Sequence, residues 1–185
     1  MKVSSRIVAI SVAALAVLTA AIAMSAQNKY TLEVPNGLAF SEFKGYESWQ
    51  VVGVSHNGDR LAVILGNAAM IGAYRDGVSG HGKPFPDGAK MAKIHWIATK
   101  NESAPGQPLQ SGTLHDVDFM MKDGKRFMDS GGWGYAEFEY DAEAASFRPG
   151  ALTDQPPQGN DAKCGFACHT IVKQQDYVFT AYGKR

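Results

Sequence analysis

Cysteine is nearly missing: Cys164 and Cys168 are the only two in 185 residues. A zinc site would need further ligands, and no second Cys or His pair stands at a typical spacing to provide them. Net charge is missing too, since 18 basic and 18 acidic residues cancel. There is no basic field for nucleic acid or for an anionic membrane surface. No internal repeat occurs at the periods of solenoids or propellers. The one long apolar run, from Ile7 to about Ala23, is on the short side of the roughly 20 residues that a spanning helix needs.

That run has a basic start (Lys2, Arg6) and is followed by the small residues Ala23, Ser25 and Ala26. It reads as a secretory signal peptide, residues 1–26, cleaved between about Ala23 and Ala26, with an uncleaved anchor as the alternative. Cleavage removes two bases and no acid, which leaves the mature chain two charges negative. Residues 27–185 have the length of one domain with its own core.

The pattern of the mature chain is mainly β (α+β), an antiparallel sheet with a few short helices. Tyr30–Val34 alternates as a short strand would, and Pro35-Asn36-Gly37 ends it. Tyr46–His56 and Arg60–Leu65 flank Asn57-Gly58, which predicts a hairpin. Asn67 can cap a helix over Ala68–Arg75 that Asp76-Gly77 stops. Ala89–Ala98 reads as a strand with Met91, Lys93, His95 and Ile97 on one face and Lys90, Ala92, Ile94 and Trp96 on the other. Leu114–Lys122 and Trp133–Tyr140 are the next strands. Arg148–Lys163 turns to proline, glycine, glutamine and aspartate and reads as a surface excursion. The tail Asp176–Thr180 reads as a last extended segment.

The excursion delivers the chain to Cys164-Gly165-Phe166-Ala167-Cys168-His169. Two cysteines followed directly by histidine are the pattern of covalent c-type haem attachment: each thiol adds to a haem vinyl group and the imidazole ligates the iron. The usual spacing leaves two residues between the cysteines, and here there are three. Gly165 can supply the unusual backbone angles that absorb the extra one. A disulfide remains the alternative on this local pattern, because cysteines of an exported chain pair by default.

Several dispersed segments resemble the cytochrome P-460 family of exported mono-haem proteins, whose relatives include the β-type cytochromes c-prime. They are Tyr46-Glu47-Ser48-Trp49 with Val51; Phe85-Pro86-Asp87-Gly88 with Lys93 five residues beyond its glycine; Lys122–Phe127 ahead of Trp133; the Cys-His motif; and Asp176 with Val178-Phe179-Thr180. The resemblance implies one covalent haem c held by Cys164 and Cys168, with His169 as the proximal iron ligand and an open distal site. It implies periplasmic location, a homodimer, oxidation of hydroxylamine, and a soluble cytochrome as electron acceptor. Lys93 stands where the family's lysine–porphyrin cross-link is expected. The alternative within the resemblance is a non-catalytic nitric oxide- or carbon monoxide-binding protein of the c-prime-β type.

Other candidates follow from residue type. Asp116, Asp123, Glu137 and Glu139 could act as bases. His56 and His81 fall in turns, and His95 and His115 in strands, where a hydrogen-bonded core histidine is the ordinary case. Met70, Met91, Met120, Met121 and Met128 could give a sixth iron ligand but are more often core filler. Phe40 and Phe43 are expected to wall the distal pocket.

Overall fold

The computed structural model describes residues 27–35, 37–78, 83–150 and 165–183. The leader, His81 and Cys164 therefore lie outside the described residues. Among the described residues six strands form one antiparallel sheet in sequence order: β1 (Gln50–Asn57), β2 (Arg60–Gly66), β3 (Lys90–Lys100), β4 (Leu109–Lys122), β5 (Trp133–Asp141) and β6 (Ser146–Pro149). Two α-helices, α1 (Ala68–Arg75) and α2 (Gly165–His169), and several 3-10 turns are also found among the described residues. Among the described residues no helix is long and apolar enough to cross a membrane.

The hairpin joining β1 to β2 turns at Gly58, whose φ of +60° suits glycine and leaves Asn57 opposite Arg60. Helix α1 begins where Asn67 accepts the Met70 N–H (3.0 Å), as its sequence predicts, and it covers one face of the sheet with Met70, Ile71 and Tyr74.

Three segments differ from expectation. Tyr30–Val34 is not a strand. Asn28 caps a 3-10 turn over Lys29–Thr31 instead, and only Glu33 bridges to Ala39. The residues around Arg148 form β6, a four-residue edge strand ending at proline, within what reads as excursion from the sequence. The tail is not extended at its start: Asp176 and Tyr177 adopt φ of +50° and +64°, and no strand follows among the described residues.

Alternation along the strands divides the core in two. One face gathers Val52, Ile64, Met91, Met120 and Tyr135 against α1 and the tail. The other gathers Leu65, Ala92, Phe119, Phe138 and Phe147 against the N-terminal turns. Phe40 and Phe43 are fully buried in this second core, where Phe43 stacks on Phe119 at 4.1 Å between centroids. They do not wall the distal pocket expected from the sequence. Their 3-10 turn slides beneath the sheet face formed by Phe119 and Phe138, and each such aromatic contributes roughly 1.5–3 kcal/mol through burial.

Candidate haem site

Three of the dispersed segments that suggest a family in the sequence, Phe85–Gly88, Lys122–Phe127 and the tail at Asp176, converge on one bracket, whereas Tyr46–Trp49 packs in the second core. The Gly88 N–H donates to the Lys122 carbonyl (2.8 Å), and the Gly124 N–H donates to Asp87 (2.8 Å). Lys122, only 7% exposed, lies over the Trp133 ring and donates its ammonium protons to both oxygens of Asp176 (2.7 and 3.0 Å) and to the Gly131 carbonyl (3.0 Å). Asp176 also accepts the Phe85 N–H (2.7 Å). A buried ion pair, satisfied on both sides by hydrogen bonds, thus fixes the point where the tail turns.

That turn aims a carbonyl. Nδ1–H of His169 donates to the Tyr177 carbonyl (2.5 Å), which sets the tautomer and leaves Nε2 as the free ligand nitrogen. The ring is held between Tyr135 (5.1 Å) and Phe179 (4.9 Å). Burial pushes the His169 imidazolium below the ordinary range, the bond to the Tyr177 carbonyl opposes this, and the charge of Lys93 adds to it. The outcome favours the neutral form, which is the form that ligates iron.

Gly165 has a role other than the expected one. It is helical, with no left-handed φ. A Cβ there would lie 2.7 Å from Tyr135 Cβ, so the missing side chain lets α2 rest on β5.

Between α2, the tail and the sheet lies a cavity of about 580 Å³, within the roughly 300–1,000 Å³ typical of ligand and cofactor pockets. Cys168 and His169 line one side, with Val178, Phe179 and Thr180. The sheet lines the other, and its register builds two polar rows. Ile64 pairs with Lys93, Lys93 with Asp118, and Asp118 with Glu137; one step along, Ala62 pairs with His95 and His95 with Asp116. Lys93 therefore faces the cavity. Lys90 is on the opposite face, above the Phe43 ring, and donates to the Glu42 carbonyl (2.6 Å).

Asp116 is 4% exposed and accepts from both His95 Nδ1 and His115 Nδ1. Burial alone would raise its pKa, but the two imidazole hydrogen bonds and their charges hold it below the usual carboxylate range. Of the other candidate bases, Glu137 lines the cavity, Asp123 caps a turn by accepting the Lys125 and Arg126 N–H groups (3.1 and 3.0 Å), and Glu139 pairs with Arg148. Met91 and Met120 line the cavity, Met70 and Met121 are core, and Met128 is exposed, as is His56.

Sequence reasoning missed Asp118 and the Tyr177 carbonyl. The first could have been found, because Asp116 and Asp118 stand two apart on one strand and so share a face. The second depends on two consecutive left-handed residues that are not glycine, which carry no sequence signature.

The donor set fits a covalent c-type haem: an exposed Cys168 thiol, a histidine with Nε2 free and Nδ1 engaged, and a cavity with one apolar end and one polar wall. A family model described as Cytochrome P460 matches residues 43–180. A search of the curated proteins returns no match.

Proposed function

The chain belongs to the cytochrome P460 family and carries haem c, and on that premise we propose that it oxidises hydroxylamine, or a related small nitrogen species, at an open distal site. When bound, the haem supplies a Lewis-acidic position for a nitrogen ligand and accepts its electrons. The protein's part is to orient and to move protons. His169 ligates through Nε2, and its Nδ1–H bond to Tyr177 raises its basicity as a ligand. Asp118 and Glu137 stand directly opposite one another in the cavity wall, where carboxylates can accept protons from a bound N–H or O–H group.

One observation carries this reading. Lys93 lines the same cavity as His169, and its charge is felt at that imidazole. A lysine so placed supports a bond from its amine to the porphyrin. We take electrons to leave to a soluble cytochrome, and the mature chain to act as a homodimer in the periplasm.

The test is the spectrum and mass of the purified protein. A Lys93 bond predicts a strongly red-shifted reduced Soret band, a mass of polypeptide plus haem less the hydrogens lost at that bond, and reduction of the haem on adding hydroxylamine. An ordinary c-type reduced spectrum without hydroxylamine turnover would overturn the reading in favour of a gas-binding protein.

A further inference from the structure

Hydroxylamine carried to the nitrous oxide level releases as many protons as electrons. The electrons pass to a one-electron acceptor, here a soluble cytochrome, but the protons start inside a cavity walled by the sheet. From the arrangement of hydrogen bonds leading out of that wall we infer that His95, Asp116 and His115 form a proton relay from the haem cavity to solvent, with Arg60 as its gate. The inference rests on the proposed reaction for its purpose and on geometry for its path.

The three groups are continuous and graded in exposure. The His95 side chain, 14% exposed, lines the cavity; that of Asp116, 5% exposed, is the link; that of His115, 35% exposed, reaches solvent. His95 Nδ1 meets one oxygen of Asp116 and His115 Nδ1 meets the other, so the carboxyl can take a proton from one ring and, after turning about its Cβ–Cγ bond, deliver the same proton to the other. The donor atoms of His95, Asp116 and Asp118 all fall within 4.8 Å of one another, and Asp118 stands 3.6 Å from His95 Nδ1 as the charged neighbour on the cavity side.

Arg60 makes the exit switchable. Its Nη1 lies 3.0 Å from His115 Nδ1 and 3.7 Å from Asp116 Oδ2. A guanidinium only donates, so His115 Nδ1 cannot hold a proton for Asp116 and accept one from Arg60 together. Protonated, Nδ1 donates to Asp116. Deprotonated, it accepts from Arg60, whose charge then compensates the carboxylate. Each transfer conserves protons: His95 takes one from the cavity at its second nitrogen and yields its Nδ1 proton to Asp116. Asp116 passes one to His115 Nδ1, and His115 releases one from its other nitrogen to water. Rotation or tautomer exchange of the two rings resets the path.

The experiment replaces the accessible end, His115→Gln, in the haem-loaded protein. With hydroxylamine at saturation, kcat should fall about tenfold, the ordinary scale for losing a proton-transfer group. KM and the haem spectrum should stay unchanged, and added imidazole should restore the rate. A second readout needs no turnover: side-chain nitrogen NMR of the ferrous carbon monoxide form, in which His115→Gln should move the His95 titration midpoint by about one pH unit, as for strongly coupled sites. An unchanged kcat, or a loss that imidazole does not restore, overturns the relay. If the native protein does not oxidise hydroxylamine, the proposed function fails by itself. The NMR measurement then decides the relay alone, supporting it if His95 moves and overturning it if His95 does not.

Discussion

Replacing Asp176 with asparagine separates the charge of the buried bracket from its shape. Asparagine tolerates a φ of +50° as readily as aspartate, so the turn itself is not strained. What is lost is charge and one acceptor. The carboxylate takes two bonds from Lys122 and one from the Phe85 N–H. An amide offers one oxygen, so either the ammonium or the peptide N–H must face an N–H donor. Lys122 then keeps the Gly131 carbonyl and at most one of its two bonds to residue 176, with no counter-charge, while still 7% exposed. Breaking a buried pair from one side costs about 3–5 kcal/mol, which at roughly 2–4 °C per kcal/mol for a chain of this size lowers Tm by roughly 6–20 °C. The assay is thermal unfolding of the haem-loaded protein, followed by far-ultraviolet circular dichroism. A second readout follows from the next link: with Asp176 loosened, the Tyr177 carbonyl no longer holds His169 Nδ1–H, and the iron–histidine stretching band in resonance Raman should move to lower frequency. A stability loss below about 1 kcal/mol, the value of a solvent-exposed pair, together with an unmoved iron–histidine band, would refute the bracket as the device that orients His169.

Other outcomes follow from the same geometry. Gly165→Ala puts a Cβ against Tyr135 and should lower the fraction of chains carrying haem, measured as the ratio of haem absorbance to protein mass. Lys93→Ala should change the reduced spectrum, whereas Lys90→Ala should leave it untouched and cost about 1 kcal/mol in urea unfolding through the lost bond to Glu42. Asp116 has a folded pKa below its unfolded value of about 3.9, so its contribution is fully present above that value and is lost as pH falls through the lower folded one. Asp116→Asn should therefore flatten the decline of the urea midpoint between about pH 4 and pH 2.

Much of the sheet was legible because its signals are local. Asn57-Gly58 between two β-rich runs locates the first hairpin, and strict alternation from Met91 to Ile97 assigns Lys93 and Lys90 to opposite faces, as the structure has them. The errors came where local signal is weak or misleading. Tyr30–Val34 alternates like a strand, but it has no partner strand, and the Asn28 side chain favours a capped turn. Phe40 and Phe43 carry no information about which side of the sheet they cover, since that is decided by where a whole N-terminal segment docks. The site itself was half legible. Cysteine, histidine and lysine announce their chemistry by type, whereas the bracket of Asp87, Lys122 and Asp176 joins three distant stretches and exists only in the fold.

The order of the strands bears on how such a site is assembled. Every sheet neighbour is also a neighbour in sequence, from β1 to β6, so the sheet can complete its register using nothing beyond Pro149. Low separation between partners favours early and rapid formation. The polar wall with Lys93 can therefore stand before the Cys-His helix arrives, and the last segment of the chain closes onto it. A haem held by His169 and also bonded to Lys93 would lock that final step, joining the middle of the chain to its end. It would act as a staple across a loop of about 75 residues, an entropic stabilisation of about 4 kcal/mol on the scale used for disulfides.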